Sequence, residues 1–146
     1  MSRPLVLLYN PRGESHILPL ALIHIGSMLP DCDVRIIDGR IELTPESTLA
    51  ELSDDAVCVG VTVLTGKPIL DALRASRAVK RRNPNVPIIW GGWHPSLLPE
   101  QCLASPVVDA CVNGQGEETF REIVQRLAAG QGLDGVAGLA FKRGGE

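Results

Sequence analysis

The sequence Ile88-Ile89-Trp90-Gly91-Gly92-Trp93-His94-Pro95 joins a short apolar run of strand character to a Gly-Gly pair and a proline-limited loop. A glycine pair at the carboxyl end of a strand lets a ligand approach the backbone, because no side chain stands in the way. In open α/β sheets, ligands bind at that edge. The segment therefore predicts a buried strand with a ligand site beside it.

Strand and helix patterns alternate on both sides of this segment. Apolar runs typical of buried strands occur at Leu5–Tyr9, Val34–Asp38, Ala56–Val63, Val86–Trp90 and Val107–Val112. Helical or turn patterns follow each strand, at Leu18–Leu29, Pro45–Leu52, Gly66–Pro84, Ser96–Ala104 and Glu117–Gly130. The alternation predicts an α/β fold: a flavodoxin-like (Rossmann-like), doubly wound sheet of five parallel strands in the order 2-1-3-4-5. Leu139–Phe141 is a candidate for a final edge strand.

Length and composition indicate one domain. The chain has 146 residues, of which 45% are apolar and 3% aromatic, so Val, Leu, Ile and Ala are expected to form the core. A net charge of −3 gives no case for nucleic-acid binding, and the basic cluster Arg77–Arg82 falls at a predicted helix end, where it complements the helix dipole. No membrane span or signal peptide is visible, which leads us to expect a cytoplasmic protein without a membrane partner.

The cysteines give no metal-binding pattern. Cys32, Cys58, Cys102 and Cys111 are scattered and form no CxxC pair. We therefore expect buried free thiols, as is usual in a cytoplasmic protein.

Four loops that follow predicted strands are rich in glycine and small polar residues: Asn10–Ser15, Thr62–Gly66, Gly91–Pro95 and Asn113–Glu118. Turn formation explains single glycines, but it explains four such loops at one sheet edge less well. Because the carboxyl ends of parallel strands share an edge, these loops predict one ligand site.

The chemistry of known ligands narrows the choice. A phosphoacceptor domain requires acidic residues where this chain has Asn10, Thr62 and Leu64. The fragment Gly114-Gln115-Gly116 is too short to be a GxGxxG dinucleotide motif, and Asn10–Ser15 is a weak match to a flavin phosphate loop. A corrinoid fits better, because its nucleotide tail needs small residues beside strands three and four.

At these residues the chain resembles the cobalamin-binding domain family, over essentially its whole length. The family pattern has Ser-x-Leu after strand three and Gly-Gly after strand four. Thr62-Val63-Leu64 matches it with Thr for Ser, and Gly91-Gly92 follows with 26 residues between. Many members also carry a histidine, the lower ligand of cobalt, in the loop after strand one. Here that loop, Asn10–Ser15, has none.

One subgroup of this family is fused to radical S-adenosylmethionine enzymes. This chain resembles that subgroup in lacking the histidine and in two longer segments, Gly91–Glu100 and Asn113–Phe120. That resemblance implies that residues 1–143 form the cobalamin-binding domain of a methyltransferase and that 144–146 are a linker or a cut end. It implies base-off binding of this cobalt-containing vitamin, with no protein metal ligand and no catalytic residue in this chain. A catalytic domain, in cis or in trans, would hold the iron–sulfur cluster and S-adenosylmethionine through a CxxxCxxC motif that this chain lacks.

The resemblance places the cofactor-binding residues in the four loops. They are Asn10, Pro11, Arg12 and Ser15; Thr62, Leu64, Thr65 and Gly66; Gly91, Gly92, Trp93 and His94; and Gly114, Gly116 and Glu117. We expect a side chain at Gly92 to block the site without disturbing the fold. His94 is assigned to the loop or the nucleotide in preference to cobalt, and Glu117 could instead cap its helix. Two alternatives stay open: a degenerate module of the same fold used for substrate recognition or oligomerisation, and a small flavin or nucleotide-binding protein.

Overall fold

The computed structural model describes residues 2–13 and 18–142. Its strands are β1 (Leu5–Asn10), β2 (Asp33–Asp38), β3 (Ala56–Thr62), β4 (Ile88–Gly91), β5 (Ala110–Val112) and β6 (Leu139–Phe141). Its helices are α1 (Leu20–Ser27), α2 (Pro45–Leu52), α3 (Lys67–Arg82), α4 (Trp93–Leu97), α5 (Pro99–Leu103) and α6 (Glu117–Ala128), with a 3-10 turn at Ser53–Asp55. The predicted α/β alternation is confirmed.

The described strands form one sheet in the order β2-β1-β3-β4-β5-β6. The first five are parallel in the predicted order, but the sheet has six strands, so the expected count of five is wrong. β6 pairs antiparallel with β5, with Cys111 opposite Ala140. Its direction follows from residues 129–138, which return the chain after α6 to the carboxyl edge, where Asn113 N–H donates to Gly138 O.

The core lies on both faces of the sheet because successive strand residues point to opposite sides. Leu7 and Tyr9 of β1 pack on the α2 and α3 face, whereas Val6 and Leu8 pack on the α1 and α6 face. Aliphatic residues dominate both clusters, as expected. The scarce aromatic side chains also contribute, because Trp90 is almost fully buried.

Charged and thiol groups have structural roles in the described chain. At the end of α3, Lys80 Nζ lies 2.7 Å from Asp109 Oδ2, and Arg82 pairs with Asp54. All four cysteines are free, three of them buried and Cys32 half-buried. Among the described residues, no cluster could hold a metal ion, and no helix is long and apolar enough to cross a membrane.

Candidate cofactor site at the carboxyl edge of the sheet

Two adjoining cavities open at the carboxyl edge of the sheet and share Ala21 and Thr62 in their walls. The first, which we call the slot, has a volume of about 230 Å³ and lies between the sheet and helices α1 and α6. Its walls include Leu8, Leu22, Ile89, Val112 and Phe120, with Gly91, Gly92, Gly114, Gly116 and Glu117 toward the loops. Three of the four glycine-rich loops therefore meet here.

The second cavity, which we call the basin, is larger, with a volume of about 620 Å³. The loop after β1 contributes Asn10 and Pro11, and the segment leading into α1 contributes residues 18–21. On the opposite side it is lined by Thr62, Leu64, Thr65 and Gly66, which follow β3. The basin thus lies at the β1/β3 switch point, where open α/β sheets bind ligands.

The two glycines after β4 are present for different reasons. Gly92 has φ of +98°, and a Cβ there would lie 3.1 Å from both Thr62 Oγ1 and Val63 N. Gly91 has no such constraint, since a Cβ there would meet only Val112 Cβ, at 3.8 Å. The expectation that Gly92 can be enlarged without disturbing the fold is therefore wrong, because a larger residue would strain the backbone. Gly91 is the position from which a side chain enters the slot.

Ser96, which sequence reasoning missed, ties two glycine loops together. Its Oγ donates to Gly92 O at 2.7 Å and accepts from Gly114 N at 2.9 Å. The backbone of Gly91 is also fixed, because Val63 N–H donates to Gly91 O at 2.8 Å. The two glycine loops of the slot are therefore held by hydrogen bonds within the chain. A hydroxyl residue four positions after a glycine pair was the available signal.

Arg12 holds loops together instead of lining a cavity. Its Nε donates to Gly39 O at 2.7 Å, and its Nη2 donates to Glu42 O and Leu43 O. Its backbone N–H donates to Asp71 Oδ2 at 2.8 Å. The guanidinium thus satisfies carbonyls of the loop after β2, and it lies in the wall of neither the slot nor the basin.

The buried carboxylate of Asp71 holds the backbone of Arg12, in the loop after β1. Asp71 of α3 is 6% exposed, and its Oδ2 accepts from Tyr9 Oη at 2.6 Å as well as from Arg12 N. Its Oδ1 has no hydrogen-bond partner among the described residues. Burial, followed by the hydrogen bond to Asp71, raises the pKa of Tyr9 far above its ordinary value, so the phenol stays protonated and donating.

His94 and Trp93 also lie outside both cavities. His94 is buried at 5% exposure, with Nδ1 3.3 Å from Thr65 Oγ1, and lines a separate cavity with Trp90 and Cys102 on the α3 face. Trp93 is 67% exposed. Side-chain direction explains both positions, because neighbouring residues at the start of α4 point to different sides.

Most of the predicted residues are brought together. Eleven of them line the slot or the basin: Asn10, Pro11, Thr62, Leu64, Thr65, Gly66, Gly91, Gly92, Gly114, Gly116 and Glu117. Arg12, Trp93 and His94 do not, and Ser15 lies outside the described residues. The buried slot residues Leu22 and Phe120 were missed, because an apolar residue on a helix carries no signal that separates a cavity wall from core.

A domain with this fold and a two-part cleft at the β1/β3 switch point belongs to the class of α/β cofactor-binding domains. A family model described as "B12 binding domain" matches residues 6–124. The chain therefore belongs to the B12-binding domain family, whose cofactor is cobalamin, and the resemblance stated from its motifs is confirmed.

Relatives of known sequence and structure agree with this assignment. An uncharacterized methyltransferase from Pyrococcus horikoshii is 37% identical over 153 residues, which cover 97% of this chain and 33% of the relative. The radical S-adenosylmethionine methyltransferase TsrM from Kitasatospora setae, solved with cobalamin and a 4Fe–4S cluster bound, has a TM-score of 0.83 and 26% identity over 99% of this chain and 30% of its own.

A second solved enzyme shows the same domain. The cobalamin-dependent S-adenosylmethionine radical enzyme OxsB, with aqua-cobalamin and S-adenosylmethionine bound, has a TM-score of 0.80 and 25% identity over 98% of this chain and 21% of its own. The chain thus spans a third or less of the length of these relatives.

The residues present fit cobalamin on a structural criterion. Gly91 lines the slot, and a Cβ there would have Val112 Cβ, at 3.8 Å, as its one neighbour within 4 Å, so the missing side chain leaves room for a ligand. The apolar slot has the character required by a buried nucleotide base. The basin offers the larger space for a flat macrocycle, with short polar side chains at Thr62 and Thr65 and longer cationic ones at Arg40 and Lys67 in its wall.

Proposed function

We propose that this chain is the cofactor domain of a cobalamin-dependent radical S-adenosylmethionine methyltransferase, with residues 1–143 as that domain. The observation that carries the proposal is the joined slot and basin beside Gly91 and Gly92. The family match and the relatives TsrM and OxsB support it.

Each cavity would hold one part of the cofactor. The slot would take the nucleotide tail, with the backbone of Gly91, Gly114 and Gly116 against it and Glu117 at its mouth. The basin would take the macrocycle, with Asn10, Thr62 and Thr65 offering short polar groups to its amide substituents, and with Pro11, Leu64 and Gly66 packing beside them. Cobalamin, when bound, supplies methyl-group transfer chemistry, and this chain supplies position and shelter from water.

We further propose that no histidine of this chain is the lower ligand of cobalt. His94 is buried on the α3 face beside Thr65, and His24 is exposed on α1 without lining either cavity. His16 lies outside the described residues, so its contribution is decided by experiment. Electron paramagnetic resonance of the cob(II)alamin complex should show no nitrogen superhyperfine splitting. Splitting that disappears in His16→Ala or His94→Ala would identify a histidine ligand and contradict this proposal.

The reaction would require a second domain carrying the iron–sulfur cluster, joined in cis or binding in trans. Leu18, Leu20 and Leu64 line the basin, and each is more than half exposed. Exposed apolar side chains at the edge of a cavity are suited to being covered by a catalytic domain. Reconstituted anaerobically with iron, sulfide and reductant, this chain should release no 5′-deoxyadenosine from S-adenosylmethionine. Steady release by this chain would contradict the domain assignment.

The direct test is to mix the purified chain with hydroxocobalamin, remove free cofactor by desalting, and record the visible spectrum. We expect a corrinoid spectrum that stays with the protein and that is lost in Gly91→Val. A colourless protein would contradict the proposal and favour a module of this fold that has lost its cofactor.

A further inference from the structure

The buried end of the slot offers no side-chain hydrogen-bonding group. Leu8, Leu22, Ile89, Val112 and Phe120 form it, and each is at most 4% exposed. Their side chains are hydrocarbon throughout. Whatever reaches this end of the slot leaves water and meets only apolar atoms.

Backbone carbonyls around the slot already accept hydrogen bonds from other groups of the chain. Gly91 O accepts from Val63 N, Gly92 O accepts from Ser96 N, and Gly116 O accepts from Phe120 N at 2.7 Å. On the strands that form the floor, Ile89 lies in the paired register between β3 and β5. A polar ligand group placed there would find few free partners.

The polar side chains of the slot lie at its open end. Gln115 is exposed, and Glu117 and Thr62 are half-buried. They can serve groups at the mouth, such as the sugar and phosphate of a nucleotide tail. The slot is therefore polar at its mouth and apolar at its floor.

We infer that the slot selects among corrinoids by their lower base, accepting a benzimidazole and discriminating against a purine such as adenine. This inference rests on the proposed function. A dimethylbenzimidazole base leaves one ring nitrogen free, whereas adenine leaves several and adds an exocyclic amine. A buried polar group without a partner loses its hydration without compensation, so the adenine form binds more weakly.

The depth of the slot depends on Gly60. A Cβ at Gly60 would lie 2.9 Å from Leu8 Cδ2 and 3.0 Å from Phe120 Cζ, so the glycine allows the Phe120 ring to lie close against β3. The ring therefore forms an aromatic part of the apolar floor, well suited to contact with a flat base.

The test compares three corrinoids by titration against the purified chain: cobalamin, its analogue with adenine as the lower base, and cobinamide, which has no base. We expect cobalamin to bind about tenfold or more tightly than the adenine analogue. Equal affinity for the two bases overturns the inference. Cobinamide binding as tightly as cobalamin also overturns it, because the slot would then take no part, while the proposed function would stand. Binding of none of the three overturns the proposed function itself.

Variants assign the selectivity to the slot wall. Val112→Thr is nearly isosteric and places a hydroxyl in the wall of the slot. The ratio of the affinity for cobalamin to the affinity for the adenine analogue should therefore fall at least threefold. Val59→Thr makes the same change on the opposite face of β3, outside both cavities, and should leave the ratio unchanged. Thermal melting first establishes that both variants fold. A ratio unaffected by Val112→Thr would contradict the role of the wall.

Discussion

Gly91 and Gly92 are adjacent, but we expect a substitution at Gly91 to weaken cofactor binding and one at Gly92 to lower stability. Gly91→Val should keep the fold and weaken cobalamin binding at least tenfold, because the new side chain enters the slot. Gly92→Val should instead lower the free energy of unfolding by about 1–3 kcal/mol, because φ is +98° and the backbone of Val63 is close. Urea unfolding and cobalamin titration of both variants test this pair. Unchanged affinity in a folded Gly91→Val protein would show that the glycine pair is only a turn.

Tyr9 and Asp71 form a buried hydrogen bond that supports the loop after β1. Tyr9→Phe should lower the free energy of unfolding by about 1–2 kcal/mol, because Asp71 Oδ2 then keeps only the bond from Arg12 N. The measurement is urea unfolding of the single variants and of the double variant with Asp71→Ala. If the loss is specific to this bond, Tyr9→Phe costs less in the Asp71→Ala background. Equal losses in both backgrounds would assign the effect to packing alone.

Single residues show where sequence reasoning about the site reached its limit. The glycine loops could be predicted, because a glycine after a strand indicates a turn or a close approach to the backbone that a side chain would prevent. The directions of Arg12 and His94 could not, because they depend on carbonyls and side chains distant in sequence, such as Gly39 and Thr65.

At the scale of elements, a half-buried ion pair ties the end of α3 to Asp109, the residue before β5, which also accepts a hydrogen bond from the start of β4. Asp109 Oδ2 accepts from Lys80 Nζ at 2.7 Å and from Ile88 N at 2.8 Å, so it serves two groups at once. Asp109→Ala should lower the free energy of unfolding by about 1–2 kcal/mol. The matched control is Asp54→Ala, whose partner Arg82 is more than half exposed, and it should change stability little. Equal effects in urea unfolding would contradict a special role for Asp109.

The elements differ in how well the sequence predicts them. Pro45–Leu52 is found with the predicted bounds, and the strand predicted at Ala56–Val63 is β3. β5 is shorter than predicted, because Val107 and Val108 are buried without sheet pairing, and burial alone gives the same apolar pattern. The antiparallel direction of β6 had no signal within its three residues, since it depends on the path of residues 129–138.

In the whole molecule, the two faces of the sheet are used differently. The α2 and α3 side holds a large buried cluster that includes Leu7, Val59 and Trp90. On the other side, α1 and α6 leave the slot between them and the sheet. The cluster on the α2 and α3 side supplies apolar burial that stabilises the fold, while the opposite side provides the slot.

Stability should also fall in alkaline solution, because buried thiols occur on both faces. Burial is the main cause that raises the pKa of Cys58 and of Cys111 from 9.0 to about 12. Above pH 9 the unfolded chain loses these protons while the folded chain keeps them, so the stabilisation is complete below pH 9 and is lost toward pH 12. At pH 10 each thiol should lower the free energy of unfolding by about 1.4 kcal/mol relative to pH 8. Urea unfolding under anaerobic, reducing conditions measures the slope, which should flatten in the Cys58→Ala, Cys111→Ala double variant. An unchanged slope in that variant would show that other groups cause the alkaline loss.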